Sequence, residues 1–203
     1  MRRSAEHTTA GFLEDLKLRP VVPAVRGNEA ALESALAGDY AAVFVLGGDP
    51  FRLIERAGRL ARRPRICVNL DLVGGVAADA AGVRFLARHL DGVISTHRHI
   101  IELARSAGVM TIQRLFAIDS VAVERGLRLV RKTGPDLVEI LPALAYPEIA
   151  SRYHESLSQP VLAGGLLKEI GCVREILAAG AVGVSTSHEP LWRFTLDKRS
   201  RTR

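Results

Sequence analysis

Short apolar runs recur along the chain about every 20 to 25 residues, and each is followed by a segment with helical spacing. The runs lack polar alternation, which is the pattern expected of strands buried on both faces of a parallel sheet. Eight runs fit this description, at 20–25, 41–46, 65–70, 91–95, 109–114, 135–141, 161–163 and 181–184. A flavodoxin-like open sheet would leave about three of these units without a place. We therefore predict an α/β fold made of a single (β/α)8 barrel of the TIM type.

The chain has 203 residues, which suits one domain with a large core. We expect an N-terminal arm with a lead-in helix at 14–19 (residues 1–19), the barrel (20–196) and a basic, disordered tail (197–203). The net charge is +6, and the two ends hold +4 of it, as six basic residues minus Glu6 and Asp197. The six are Arg2, Arg3, Lys198, Arg199, Arg201 and Arg203. The barrel is therefore only mildly basic, which is compatible with a nucleic-acid partner but does not require one.

No apolar run approaches the roughly 18 residues that a membrane span needs, and the first ten residues lack the apolar core of a signal peptide. Cys67 and Cys172 lie in different predicted elements without metal-ligand spacing, so they predict buried thiols in a reducing cytoplasm. We expect a cytoplasmic protein with no membrane partner, no metal and no cofactor.

In a (β/α)8 barrel, functional groups lie where the strands end, at the C-terminal face. The residues there are Arg26, Gly47, Asp71, Ser95, Thr96, His97, Arg114, Glu139, Gly164, Gly165, Ser185, Thr186 and Ser187. Small residues after strands 7 and 8 let backbone N–H groups approach an anion, and a phosphate commonly binds at this position. With Arg114 for charge and two carboxylates to accept from hydroxyls, the set describes a site for a small polyol phosphate.

Structural and catalytic interpretations of the same residues remain open. The Gly-Gly and Ser-Thr-Ser segments could be turns only, His97 could be a solvated loop residue, and Arg26 could pair with Glu139 or Asp71 across the barrel. Asp71 and Glu139 could also form the acid–base pair of an isomerase or epimerase on a sugar or triose phosphate. No lysine ends a predicted strand, which disfavours a Schiff-base aldolase.

Several stretches resemble the glycerol-3-phosphate-responsive antiterminators, regulatory proteins of bacterial glycerol uptake operons. The resemblance covers residues 20–192, and its most specific stretch is 113–120, which reads Gln-Arg-Leu-Phe-Ala-Ile-Asp-Ser. The other matching stretches are 21–26, 71–72, 94–96, 139–142, 163–166, 179–187 and 191–192. The chain departs from the family pattern at Gly47, Asn69 and His97.

The resemblance implies a barrel that binds glycerol 3-phosphate and acts on a leader mRNA, favouring read-through past a terminator. By position, the phosphate would be held by Gly164, Gly165, Ser185, Thr186 and Ser187. The rest of the pocket would be lined by Arg26, Asp71, Arg114 and Glu139. The sequence leaves the oligomeric state open, with a homodimer as one alternative.

A candidate RNA surface follows from arginine spacing. Arg52, Arg56, Arg59 and Arg63 recur at i, i+4, i+7 and i+11, one stripe of the helix predicted after strand 2. A solvated outer face of a barrel helix explains the spacing equally well, as it does for Arg125, Arg128 and Lys132. No aromatic residues interleave with these arginines, so the RNA role rests on the resemblance and the charge is only compatible with it.

Overall fold

The computed structural model describes residues 9–196 and shows a closed barrel of eight parallel strands, which confirms the predicted fold class. The strands are β1 Val21–Val25, β2 Ala42–Val45, β3 Arg65–Asn69, β4 Gly92–Ser95, β5 Met110–Phe116, β6 Leu137–Leu141, β7 Val161–Gly164 and β8 Gly183–Thr186. Each strand pairs with the next in sequence order, and β8 closes on β1 with Val22 opposite Ser185. All eight strands therefore end at one face, which we call the mouth; the opposite face is the base.

The helices are α1 Thr9–Leu16, α2 Glu29–Ala37, α3 Pro50–Gly58, α4 Ala80–His89, α5 Arg98–Ser106, α6 Ser120–Thr133, α7 Tyr146–Ser156 and α8 Ile170–Ala178. Four of them begin at an Asn or Asp whose side chain accepts a backbone N–H of the first turn: Asn28, Asp49, Asp79 and Asp119. The expected start of α3, with Asp49 as the cap and Pro50 next to it, is confirmed.

The lead-in helix differs from the sequence prediction, since α1 lies at Thr9–Leu16 and not at 14–19. After β8, residues Glu189–Leu191 form a short 3-10 turn. The helix after β7 begins at Ile170, because Gly165 and Leu166 both have left-handed φ angles, +83° and +62°, that cannot continue a helix. Residues 166–169 are therefore a loop at the mouth.

The barrel interior is filled by side chains from alternate strand positions, among them Phe44, Ile94 and Ile112. Phe12 and Leu16 of α1 belong to the same cluster and are essentially inaccessible to solvent, so α1 closes the base. A second and larger apolar layer lies between the strands and the surrounding helices. With the base closed, the mouth is the end at which polar side chains can meet a ligand.

Residues 1–8 and 197–203, which carry the predicted basic ends, lie outside the described residues. The division into arm, barrel and tail therefore stays a prediction. Within residues 9–196, no helix combines the length and apolarity that crossing a membrane requires. Cys67 is buried as predicted, Cys172 is only half-buried, and neither forms a disulfide bond within residues 9–196.

Candidate functional site at the barrel mouth

Glu139 is the buried centre of the mouth. It stands opposite Arg114 in the β5–β6 register and accepts a 2.5 Å hydrogen bond from Arg114 Nε on Oε2. Its other oxygen, Oε1, accepts a 2.5 Å hydrogen bond from Ser185 Oγ of β8. Glu139 is fully buried and Arg114 nearly so, and such charges are tolerated only when paired and hydrogen-bonded. The pair that forms is thus Arg114–Glu139, and not Arg26–Glu139.

Gly164 makes room for this arrangement. A Cβ at Gly164 would lie 2.4 Å from Ser185 Oγ and 2.7 Å from Glu139 Oε1. Because real Cβ atoms do not approach other atoms so closely, any larger residue would displace the Ser185–Glu139 hydrogen bond. The structure thus gives Gly164 a packing reason to be glycine, in addition to the predicted place beside a phosphate.

Asp71 follows β3 and is held from the neighbouring strand. Its carboxylate accepts from Ser95 Oγ at 2.5 Å, from Thr96 N–H at 2.7 Å and from Thr96 Oγ1 at 2.9 Å. The Asp71 N–H donates to Asn69 Oδ1 at 2.9 Å, which fixes the turn. These hydrogen bonds fix the Asp71 side chain in one orientation at the mouth. Asp71 does not pair with Arg26.

The two loops predicted to hold phosphate lie side by side, because Gly164 pairs with Ser185 in the β7–β8 register. Within the described residues, neither the Gly165 N–H nor the Ser187 N–H donates a hydrogen bond. Ser187 is also exposed, so its hydroxyl faces solvent. Two unpaired backbone donors on adjacent loops suit an anion such as phosphate.

The hydroxyls of Ser185 and Thr186 are engaged in holding these loops. Thr186 Oγ1 donates to the Leu167 carbonyl at 3.1 Å and accepts from the His188 N–H at 3.0 Å. The Trp192 indole N–H donates to the Thr186 carbonyl at 2.8 Å. The hydroxyls of β8 therefore hold the strand and the loop after it in place. Sequence reasoning did not find this use of Trp192, because no local pattern reveals the partner of a side chain that far from the strand end.

Arg26 is exposed and makes no ion pair or hydrogen bond within the part of the chain that is described. It follows β1, whose neighbour is β8, with Pro23 opposite Thr186 in the register. Its strand thus ends beside the loop that carries Ser187. His97 is also exposed, and its ring lies 5.7 Å from that of His99. This agrees with the interpretation of His97 as a solvated loop residue.

The predicted arginine stripe is wrong in its geometry. Helix α3 ends at Gly58, so Arg63 is not on it but in the loop before β3, where it pairs with Asp91. Arg56 lies 2.6 Å from Glu29 and 3.5 Å from Glu33 of α2. Arg52 and Arg59 remain exposed, at 76% and 73% of their side-chain surface. The helix is shorter than the spacing implied because it is capped at Arg59 and residues 60–64 do not continue it.

Two buried tyrosines lie on α7, away from the mouth carboxylates. Burial raises the pKa of Tyr146 to about 12 and also raises that of Tyr153, so both are neutral donors at ordinary pH. Tyr146 Oη lies 2.9 Å from His154 Nε2. Within residues 9–196, no group of three or more His, Cys, Asp and Glu side chains is arranged to hold a metal ion.

Comparison with known proteins gives consistent matches. Residues 21–192 match the family described as glycerol-3-phosphate responsive antiterminator. The uncharacterized protein YgcP of Escherichia coli strain K12 is 31% identical over 196 residues, which are 93% of this chain and 98% of YgcP. A glycerol uptake operon antiterminator regulatory protein from Listeria monocytogenes is 33% identical with a TM-score of 0.78, over 86% of this chain and 95% of that one.

A glycerol uptake operon antiterminator-related protein from Thermotoga maritima is 26% identical with a TM-score of 0.73, over 87% of this chain and 99% of that one. The family match spans all eight strands and both loops of the mouth, from β1 to the 3-10 turn that ends in Leu191. The chain belongs to the glycerol-3-phosphate responsive antiterminator family.

Proposed function

We propose that this protein senses glycerol 3-phosphate at the barrel mouth and, when loaded, binds a leader mRNA and favours read-through past a terminator. The observation that supports the proposal most is the pair of unengaged N–H groups, of Gly165 and Ser187, on neighbouring loops. They stand at the same end of the barrel as two fixed carboxylates and a buried arginine. The N–H groups suit the phosphate of a small polyol phosphate, and the Asp71 carboxylate suits its hydroxyls.

For the phosphate, we assign the N–H groups of Gly165 and Ser187, the Ser187 hydroxyl and the free charge of Arg26. Gly164, Ser185 and Thr186 belong to the same site, but they act by positioning these donors. Arg26 suits this role because a guanidinium forms paired hydrogen bonds with phosphate oxygens.

For the glycerol hydroxyls, we assign Asp71 and Arg114; Glu139, which is fully buried, belongs to the same site by holding Arg114 in place. A carboxylate has about four acceptor positions, and Asp71 uses three of them in the structure. The Nε–H of Arg114 donates to Glu139, so the other guanidinium N–H groups remain to donate to a ligand oxygen. Glycerol lacks the phosphate and would lose every contact to the loops, so we expect the site to discriminate strongly between the two.

A regulatory role fits these contacts better than acid–base catalysis. A general base must have a free oxygen poised towards the proton it removes. Both oxygens of Glu139 already accept hydrogen bonds from Arg114 and Ser185, which stabilise the charged form. Protein-dependent deuterium exchange at a carbon of dihydroxyacetone phosphate, lost in Glu139→Gln, would instead favour the isomerase-like enzyme.

The direct test of the regulatory role is a titration of labelled leader RNA from a glycerol uptake transcript, with and without glycerol 3-phosphate. Heterotropic couplings are typically about 1–3 kcal/mol, so we expect the ligand to tighten RNA binding roughly 5- to 150-fold. The coupling is reciprocal, so saturating RNA must tighten ligand binding by the same factor. RNA affinity that is identical with and without the ligand would contradict the proposal.

A further inference from the structure

A cleft at the base of the barrel is lined by four arginines. It has a volume of about 590 Å³ and lies between the end of α1, the turn from α2 to β2 and the loop from α3 to β3. The arginines are Arg19, Arg62, Arg63 and Arg65. We call these four residues and the space between them the basal arginine cleft.

Acidic residues neutralise the basal arginine cleft only in part. Arg65 is 5% exposed and bonds to Asp15 at 2.6 Å, Arg19 pairs with Asp15 and Asp39, and Arg63 pairs with Asp91. Three aspartates, Asp15, Asp39 and Asp91, face the four arginines, which leaves one positive charge in excess (four minus three).

Several arginine donors of the cleft have no acceptor. Arg62 is exposed and has no partner among the described residues. The Nε atoms of Arg19 and Arg65 are buried and also lack a hydrogen-bond acceptor there. An occupant of the cleft cannot reach these two buried atoms, but the exposed and unpaired Arg62, with the remaining positive charge, favours an anionic occupant.

The charges at the helix ends point in the same direction. The helices run from the mouth to the base, and their last turns carry Arg56, Arg88, Arg105, Arg131 and Lys132. Their starts at the mouth carry Glu29, Asp49, Asp79, Asp119 and Glu148. The helix dipole explains this distribution. It does not explain Arg62, Arg63 and Arg65, which belong to a loop and a strand.

We propose that the basal arginine cleft binds phosphodiester groups of the RNA, at the end of the barrel opposite the ligand. This inference rests on the proposed function and replaces the stripe on α3 as the RNA surface. A guanidinium matches phosphate geometry with two parallel hydrogen bonds, and Arg62 has all its donors available. A polyanion approaching the base meets the basic helix ends, whereas one approaching the mouth meets mostly acidic helix starts, with Arg98 of α5 as an exception. RNA and glycerol 3-phosphate therefore bind without competing for one site.

The test compares Arg62→Glu with Arg52→Glu in the full-length protein. Both arginines are exposed and both changes shift the charge by the same amount, but Arg52 lies at the mouth end of α3. The probes are the leader RNA and a labelled oligouridine, titrated at several salt concentrations with glycerol 3-phosphate present. Arg62→Lys keeps the charge and serves as the conservative variant. Melting with glycerol 3-phosphate, run on every variant, reports whether the fold and the mouth are intact.

We expect Arg62→Glu to weaken binding of both RNAs and to flatten the salt dependence of log K by about 0.7–0.9. At 0.1 M salt this slope corresponds to a loss of roughly five- to eightfold for one phosphate contact. Arg52→Glu should bind like the unmodified protein. Arg62→Lys should bind RNA more tightly than Arg62→Glu but less tightly than the unmodified protein, because it keeps the charge and loses the paired hydrogen bonds. Ligand stabilisation should be the same in all four proteins. If the leader RNA binds but Arg62→Glu is no weaker than Arg52→Glu, the cleft is not the RNA surface and the proposed function stands. If no RNA binds while glycerol 3-phosphate still stabilises the fold, the RNA role and the cleft assignment both fail. Displacement of the RNA by polyglutamate as readily as by unlabelled RNA would mean a surface for acidic polypeptides, which also overturns the assignment.

Discussion

Glu139 holds together the structure of the mouth. Its charge is compensated by Arg114, and its second oxygen fixes Ser185 of β8. Sequence reasoning placed all three residues at strand ends, because the apolar runs show where each strand stops. It could not identify the partners, since the β5–β6 register and the glycine at 164 decide that Arg114 reaches Glu139 and Arg26 does not.

At this scale we predict that Glu139→Ala lowers the free energy of unfolding by about 3–5 kcal/mol, because the buried Arg114 guanidinium loses its partner. Ser185→Ala removes one hydrogen bond from the same carboxylate and should cost about 1 kcal/mol. Urea unfolding followed by circular dichroism measures both. Equal midpoints for Glu139→Ala and Ser185→Ala would show that the Arg114–Glu139 pair does not support the fold.

The helices and strands that could be predicted are those specified by a short local sequence pattern. Strand runs and the caps at Asp49 and Asp119 depend on a few adjacent residues, and both caps form as expected. The length of α3 was overestimated, because the arginine spacing continues past Gly58, where the helix ends. The docking of α1 in the base was also not evident, because the sequence does not show which surface Phe12 and Leu16 meet.

Helix α1 gives the prediction at the scale of the element. Phe12→Ala should lower the free energy of unfolding by about 3–5 kcal/mol, because a fully buried ring leaves a cavity at the base. Leu18→Ala, an exposed position just after the helix, should change it by less than about 0.5 kcal/mol. Thermal or urea unfolding of the two variants gives the comparison. If Phe12→Ala is as stable as Leu18→Ala, α1 does not close the barrel in solution.

The whole molecule has two ends of different chemistry. At the mouth, acidic residues start several helices around the loops proposed to hold phosphate, and the base has basic helix ends around the basal arginine cleft. Coupling between them has to pass along the barrel strands, which connect the β7 and β8 loops to the base. A homodimer stays a prediction. Its interface would have to leave both the mouth and the base accessible.

The central claim, that glycerol 3-phosphate binds at the loops after β7 and β8, is tested most directly by thermal melting with ligand. At a concentration one hundred times the Kd, a ligand that binds only the native state stabilises it by about 2.7 kcal/mol, which raises Tm by several degrees. Glycerol at equal concentration should leave Tm unchanged.

Gly165→Asp should abolish the shift, because it places a negative charge beside the phosphate. Gly108→Asp makes the same change at a left-handed glycine (φ +70°) in the loop before β5, at the base, and should retain the shift. A Tm that does not move with millimolar glycerol 3-phosphate, or that moves equally in Gly165→Asp, would contradict the account.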